Sequence, residues 1–359
     1  MLKVASGRRR RALAAGALIF FGGIVTACGG EPSGRVLVLR PDSMVATYPD
    51  PSSELSLGVG QLSAVAVADG EIYVADQLGG RVHRFAEGAG FLNTLGRKGE
   101  GPGELQRPSE VEVGPGGDVW VADPPAGRVT RFRPGGDLVS TRRAPFGGMD
   151  FGLLPGDRML VPSPTEGSLL AVVGPDDGIT ELAPGSESPG ILASLAPEER
   201  MGFMTTFLES DPATGDVRFL VNRDDFSLWS LGVDPGAGTI ASPVSVSVPD
   251  WLAEALASER RAQEEGLREA RLEFIPFNDM DLTSSGLWLT TGPVAAVGVL
   301  LPGTAAERPV LVRPAEEDER FRGLLHATLE DDRLYAVYAT RVRVFSLATV
   351  GVRRRPELP

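Results

Sequence analysis

Carboxylate, amide and imidazole side chains recur at one position of a repeated pattern in this sequence. When the repeats are aligned on their second predicted strand, that position holds Ala64, Glu110, Asp150, Asp279 and His326, with Asn278 beside Asp279 and Thr205 as a candidate in the fourth repeat. Such oxygen ligands suit a hard divalent cation such as Ca²⁺. The sequence thus offers Glu110, Asp150, Asn278, Asp279 and His326 as a candidate channel or metal site, with a solvated acidic rim as the alternative.

Other catalytic arrangements are missing from the sequence. Cys28 is the only cysteine, and His83 and His326 are the only histidines. There is no Gly-x-Ser-x-Gly nucleophile elbow and no His-x-x-x-His or Cys-x-x-Cys metal spacing. The glycine-rich stretch from Gly96 to Gly103 lacks the Gly-Lys-Ser/Thr of a phosphate-binding loop. Sequence motifs therefore assign no catalytic residue, and His83 is expected to be an ordinary strand residue.

An internal repeat predicts the elements that would position these groups. Val65–Phe85 and Val111–Phe132 have the same order of strand, tight Gly turn, strand, Gly-bearing turn and strand, with apolar residues at period two. Weaker copies begin near Leu153, Thr214 and Met280, and a clear one near Ala327. Units of this kind stack radially into a β-propeller. We therefore expect an all-β, six-bladed propeller over 35–350, whose ring is closed by Arg35–Arg40 as the outer strand of the last blade.

Two segments depart from the strand pattern. The segment 191–208 is helical in composition, and 251–271 carries opposite charges at i,i+4 after Asp250, a candidate N-cap. Both are predicted to be helical insertions, and residues 351–359 a C-terminal tail. The second helix is expected to lie solvated over one propeller face, with partner binding as the alternative.

Two repeats also share an acid–base pair. Asp76 and Arg81 recur as Asp123 and Arg128. An Asp at the end of a strand can accept hydrogen bonds from turn backbone, and the Arg five residues later can pair with it. Because a single active site needs no copies, these four residues are predicted to be structural.

The first residues have the pattern of an export signal. Arg8 to Arg11 precede an uncharged apolar stretch from Ala12 to Ala27, too short for a comfortable transmembrane span. Val25-Thr26-Ala27-Cys28 resembles the bacterial lipobox. The resemblance implies a signal peptide over 1–27, a lipidated Cys28 with a short tether over 28–34, and export to a bacterial membrane. By resemblance to Gram-negative lipoprotein sorting signals, Gly29 after the cysteine implies the outer membrane, with the leaflet left open.

Charge excludes one class of partner. The net charge is −13, and removing the signal peptide would make the chain more acidic, since its charged residues are Lys3 and Arg8 to Arg11. We therefore expect no nucleic-acid binding, which needs a basic surface. Attachment to the membrane would depend on the lipid anchor, because this charge repels anionic headgroups.

The repeat also resembles a known family. Ile72–Asp76 with Gly80–Val82, and Val119–Asp123 with Gly127–Val129, look like NHL-type repeats, and Gly96–Leu105 is similar to the blade-joining segment of bacterial six-bladed propeller lipoproteins. The later repeats lack the strand-ending Asp. The resemblance implies fold and export and supplies no settled activity.

Three functions follow as alternatives. The first is a non-enzymatic, monomeric binding or scaffolding propeller on the cell envelope, whose ligand would be a protein, a peptide or a glycan. The second is a metal-dependent hydrolase or lyase with a divalent cation in the central channel, whose site would loosely resemble the Glu-Asn-Asp metal sets of propeller lactonases. The third is a purely structural envelope protein. The sequence favours the first, because no catalytic set is apparent.

Overall fold

Apolar residues at period two form short antiparallel strands throughout the chain. The computed structural model describes residues 35–39, 44–52, 58–145, 150–163, 170–184, 206–212, 214–221, 227–234, 239–240, 244–246, 257, 261, 277–283, 286–291, 298–302, 310–314, 324–347 and 352–353. The compact unit to which they belong spans Gly34–Pro359. Within the described residues, no helix is long and apolar enough to cross a membrane.

The first strands are β1 (Arg35–Leu39), β2 (Met44–Tyr48), β3 (Leu62–Ala68), β4 (Glu71–Asp76), β5 (Arg81–Ala86), β6 (Gly90–Leu95), β7 (Arg97–Lys98), β8 (Glu104–Leu105), β9 (Glu110–Val113), β10 (Val119–Asp123), β11 (Arg128–Phe132) and β12 (Leu138–Arg143). A single 3₁₀ turn, Pro124–Ala126, separates β10 from β11.

The remaining strands are β13 (Gly152–Leu154), β14 (Arg158–Pro162), β15 (Leu170–Val173), β16 (Ile179–Pro184), β17 (Thr206–Ser210), β18 (Asp216–Val221), β19 (Ser227–Asp234), β20 (Thr239–Ile240), β21 (Val244–Val246), β22 (Phe277–Thr283), β23 (Gly286–Thr291), β24 (Gly298–Pro302), β25 (Val310–Pro314), β26 (Leu324–Glu330), β27 (Arg333–Tyr338), β28 (Arg341–Ser346) and β29 (Val352–Arg353).

These strands form an all-β propeller. Among the described residues, five sheets have four or more strands: β3–β6, β9–β12, a nine-stranded sheet of β13–β21, β22–β25 with β1 and β29, and β26–β28 with β2. The sequence predicts six separate blades, so the structure has one sheet fewer. The physical reason is the short strand β20, which pairs with both β16 and β19 and thereby merges the third and fourth repeats.

The N-terminal pairing also differs from the sequence prediction. Arg35–Arg40 was expected to complete the last sheet, but β1 pairs in parallel with β25 and antiparallel with β29, which lies in the predicted tail. The fourth position of the last sheet is taken by β2, antiparallel to β28. Tyr48 explains this choice, because its ring packs 5.4 Å from that of Phe85 and its hydroxyl accepts the Gly88 N–H at 3.1 Å in the neighbouring sheet.

The predicted helical insertions fall largely outside the described residues. Residues 206–208 of the first insertion lie in β17 and are strand, because Leu208 packs inward with no exposed surface. Of the second insertion, only Ala257 and Arg261 are described, both with helical backbone.

Neighbouring sheets hold together through apolar clusters. One joins the last sheet to the first through Tyr335, Val337 and Val344 against Leu62 and Phe85. Similar clusters join the first sheet to the second, the second to the third, and β23 to the last sheet. Burying these side chains removes apolar surface from water, at roughly 25 cal/mol per Å². The stacking therefore provides the core that no single sheet has.

The repeated Asp residues anchor the loops that lead into each sheet. Asp76 has no exposed surface and accepts hydrogen bonds from the N–H groups of Gly60, Gln61 and Gly79 at 2.8–3.2 Å, beside Arg81 at 3.5 Å. A Cβ at Gly79 would lie 2.1 Å from its carboxylate, so glycine is required there.

Asp123 holds the equivalent loop of the second sheet. It accepts the N–H groups of Gln106 at 2.7 Å and Arg107 at 3.0 Å, with Arg128 3.8 Å away. These are architectural contacts, since each carboxylate is occupied by its own loop.

We predict that Asp76→Asn destabilises the fold in a pH-dependent way. Burial raises the pKa of Asp76, but hydrogen bonds from His83, Gly60, Gly79 and Gln61 outweigh it and lower the pKa from 3.8 to about 2. A carboxyl with a lowered folded-state pKa stabilises the fold above about pH 4 and loses that contribution as the pH falls towards 2. A shift of this size corresponds to about 2 kcal/mol. Denaturant unfolding should show wild type and variant differing by that amount at pH 7 and converging towards pH 2. A difference independent of pH would contradict this role.

Candidate functional site

The first strands of the sheets surround a central cavity of about 180 Å³. Strand β3 contacts β9 and β26, β22 contacts β26 and β17, and β17 contacts β13. Residues of β3, β9, β17, β22 and β26 line the cavity. The space is large enough for several water molecules or part of a small ligand.

Acidic and hydroxyl side chains dominate the polar lining. They are Glu110, Glu112, Glu209, Ser210, Asp281, Thr283, His326, Thr328 and Glu330. Residues two apart on a strand share a face, which explains the sets Glu110 and Glu112, Asp281 and Thr283, and His326, Thr328 and Glu330. Several carboxylates of different sheets therefore approach one another in this cavity.

Glu112 has a strongly raised pKa. Burial raises its pKa well above the usual 4.5, and negative charge on Asp150, Glu110 and Asp281 raises it further, opposed by a hydrogen bond from the Leu153 backbone N–H. Its Oε1 atom is buried and has no hydrogen-bond partner among the described residues. Burial and the neighbouring negative charges therefore favour the neutral form of the Glu112 carboxyl group in the wall of the cavity.

Three candidate residues from the sequence have their strands around this cavity. Glu110 lies opposite Ala122, Asp279 opposite Thr290 and His326 opposite Val337, and each partner is the second-to-last residue of the second strand. Glu110 and His326 line the cavity, and His326 is 6% exposed. The side chains of Asn278 and Asp279, and the whole of Thr205, lie outside the described residues.

Asp150 accepts hydrogen bonds from backbone N–H groups and does not line the cavity. Its Oδ1 accepts the Phe151 N–H and its Oδ2 accepts the Leu208 N–H, each at 2.7 Å. It thus fastens the chain entering β13 to the neighbouring strand β17. It reaches the cavity through its charge on Glu112, and it is absent from the described lining.

Sequence comparison of the repeats missed Glu112, Asp281, Glu209 and Glu330. The alignment selected one position in each first strand. The residue two places further along shares the same face, and this periodicity could have revealed Glu112 and Asp281. Asp281 also accepts a hydrogen bond from the Thr328 hydroxyl, which ties β22 to β26 across the cavity wall.

The predicted metal set stays a prediction, because the side chains of Asn278 and Asp279 lie outside the described residues. Within the described part of the chain, no three His, Cys, Asp or Glu side chains converge to hold a metal ion. The oxygen donors of Glu110 and Asp281 are of the type that Ca²⁺ binds, but they do not complete a coordination shell with their described neighbours. The unpaired Oε1 of Glu112 is accounted for by the neutral acid that its surroundings favour. We therefore derive no step through a metal.

Known proteins resemble this chain in fold. No family model and no curated protein sequence matches it. A candidate exported protein from Bacteroides fragilis has a TM-score of 0.51 at 14% identity, over 89% of this chain and 100% of that one. A gluconolactonase from Xanthomonas campestris has a TM-score of 0.49 at 12% identity, over 89% and 99%. Virginiamycin B lyase from Staphylococcus aureus has a TM-score of 0.45 at 11% identity, over 83% and 82%. These identities show the β-propeller fold alone.

The expectation of a non-enzymatic binding or scaffolding propeller is wrong. It depended on the fold and on the lack of a recognisable catalytic set. A fold does not by itself assign a function, so the propeller gives no argument for an inert scaffold. The described cavity also contains carboxyl and imidazole groups of the kind used in acid–base catalysis.

We predict that Glu112→Gln stabilises the protein at neutral pH. An acid whose folded-state pKa is raised costs stability as the pH rises above its ordinary value of 4.5, because folding then requires a proton or a buried charge. Glutamine has the same shape and no charge. Thermal unfolding should show a higher Tm for Glu112→Gln at pH 8 and little difference at pH 4. A Tm of the variant equal to or below that of wild type at pH 8 would show that the ionised form of Glu112 does not destabilise the fold.

Proposed function

We propose that the chain is a hydrolase or lyase that binds a small substrate in the central cavity and uses Glu112 as general acid. One observation carries the proposal. Glu112 lines a cavity in which Glu110 and Asp281 keep negative charge close to it. Pairs of carboxyl groups with separated pKa values are the usual means by which one site provides an acid and a base near neutral pH.

The roles of the residues follow from the raised pKa of Glu112 beside the negative charges of Glu110 and Asp281. Glu112 would protonate the departing oxygen as a bond to it breaks. An ionised neighbour, Glu110 or Asp281, would accept a proton from an attacking water in hydrolysis, or from a carbon next to the breaking bond in elimination. Charges beside buried protein groups interact more strongly than charges in bulk water, which favours proton transfer between these residues.

A divalent cation would supply charge stabilisation if one is bound. Glu110 and Asp281 are the described residues whose oxygen donors suit it. The proton roles assigned above belong to protein groups and do not depend on it.

We predict that Glu112→Gln abolishes activity while the matched variant Asp137→Asn retains it. Asp137 is an exposed acid in the β11–β12 turn, outside the cavity. Lactones and lyase substrates form the screen, because both reactions need an acid that transfers a proton to the departing oxygen. Loss of a general acid costs about 10²–10⁴-fold in rate. Elemental analysis after dialysis shows in parallel whether metal is bound. Unchanged turnover in Glu112→Gln would overturn the assignment of the acid.

We further propose that the protein is an exported bacterial lipoprotein. Residues 1–27 would be the signal peptide and Cys28 the acylated residue, supported by the basic run, the apolar stretch and the lipobox-like Val25–Cys28. The outer membrane is the favoured destination. We also propose that the protein is monomeric. Its acidic charge supports the further proposal that it binds no nucleic acid.

We predict that Cys28→Ser releases the protein from membranes. Without the thiol, no acyl chain can be attached, and anchoring needs such chains. Metabolic labelling with an alkyne fatty acid and fractionation of cells test this, with Cys28→Ser compared against wild type. Persisting acylation of the variant would contradict the proposed site.

We also propose six blades with NHL-like repeats, the ring being closed by β2. The nine-stranded sheet contains two antiparallel units, β13–β16 and β17–β19 with β21, each comparable to one four-stranded blade. The pairing of β2 with β28 and the hydrogen bond from the Leu62 N–H to the Ala339 carbonyl at 2.8 Å support a join between the last and first units.

A further inference from the structure

Exposed apolar side chains cluster at one end of the outermost strands. Met44 and Val45 begin β2, Phe91 and Leu92 lie at the start of β6, Leu138 and Val139 begin β12, and Ile179 begins β16. These seven residues are called here the apolar rim. They include every exposed large apolar side chain of the described residues except Leu78, with exposed fractions from 39% at Met44 to 53% at Val45.

Strand direction places the apolar rim on one edge of the propeller. In the first sheet, the successive strands β3 to β6 run antiparallel, so β6 starts at the edge that carries the turn between β3 and β4. The same holds for β12, β16 and β2, because each is antiparallel to the third strand of its sheet. Leu78 lies in the β4–β5 turn, at the opposite edge.

The chain enters the propeller at this same edge. Strand β1 runs parallel to β25, with Arg35 opposite Val310 at the start of β25. Because β25 is the fourth strand of its sheet, its start lies at the edge of the apolar rim. A fully extended chain from Cys28 to Arg35 spans at most roughly 25 Å.

We infer that the apolar rim contacts the lipid bilayer into which the acyl chains of Cys28 insert. This inference rests on the lipid anchor proposed above. The tether keeps the edge that carries the rim near the bilayer, and exposed Phe, Leu, Met and Val side chains gain by entering its interface.

Charge specifies the kind of bilayer. Turns at this edge carry the exposed acids Asp69, Asp137, Asp176, Asp331 and Asp332. Their charge repels anionic headgroups. The apolar rim therefore fits a zwitterionic lipid surface, with the acids remaining in the headgroup water.

A single reporter thiol tests the contact. Cys28 is the only cysteine, and acylation removes its thiol, so a polarity-sensitive fluorophore reacts only with an introduced cysteine. The acylated full chain carrying Leu92→Cys is compared with the matched control Leu78→Cys. The two leucines are 41% and 48% exposed, at opposite edges. Each labelled protein is reconstituted into phosphatidylcholine vesicles, with or without a lipid-borne quencher, and into vesicles containing phosphatidylglycerol.

We expect the label at position 92 to show a blue-shifted emission and to be quenched by the lipid-borne quencher in phosphatidylcholine vesicles. The shift should weaken in phosphatidylglycerol vesicles, and the label at position 78 should stay water-like. Flotation of the protein with water-like emission at both positions would overturn the bilayer contact and leave the anchor intact. A blue shift at position 92 without lipid quenching would overturn it in favour of a protein contact. Failure to float with vesicles would overturn the anchor and the contact together.

Discussion

Hydrogen bonds between the innermost strands of neighbouring sheets hold together the centre of this molecule. Those strands do not pair as a sheet around the cavity, so their backbone groups need other partners. Side chains provide them. Asp150 accepts the Leu208 N–H, Ser210 donates to the Leu153 carbonyl at 2.9 Å, and Ser63 donates to the Pro108 carbonyl at 3.1 Å. Thr290 similarly bridges to the N–H and carbonyl of Ala327.

This arrangement brings acidic side chains closer together than an open surface would. Glu112 accepts the Leu153 N–H and so joins β9 to β13, but the same position exposes it to the charges of Asp150, Glu110 and Asp281. The stabilising contact and the perturbed pKa therefore have one cause. Apolar packing between the sheets offsets the cost of this crowding. Perturbed pKa values of this kind, which cost stability, are typical of functional sites.

The sequence predicted the structure best where the pattern lies within one pair of neighbouring strands. The strands around Ile72 and Val119, the strand-ending Asp76 and Asp123, and the register of Glu110, Asp279 and His326 follow from period-two alternation and tight turns. Asp150 shows where this reasoning stops, because its carboxylate is committed to Leu208, a partner far along the chain. Strand β1 was assigned to the wrong sheet for a similar reason, since the anchoring Tyr48 lies in β2. The two-residue strand β20, too short to carry a pattern, merged two expected blades.

The proposed role of Glu112 as general acid requires that it carries a proton at neutral pH in the central cavity. Infrared difference spectroscopy between wild type and Glu112→Gln measures this directly through the carbonyl stretch of a protonated carboxylic acid. If Glu112 is protonated, this band is present in wild type at pH 7, shifts in deuterated water and is missing from the variant. Spectra in which wild type shows only an ionised carboxylate at this position would contradict it.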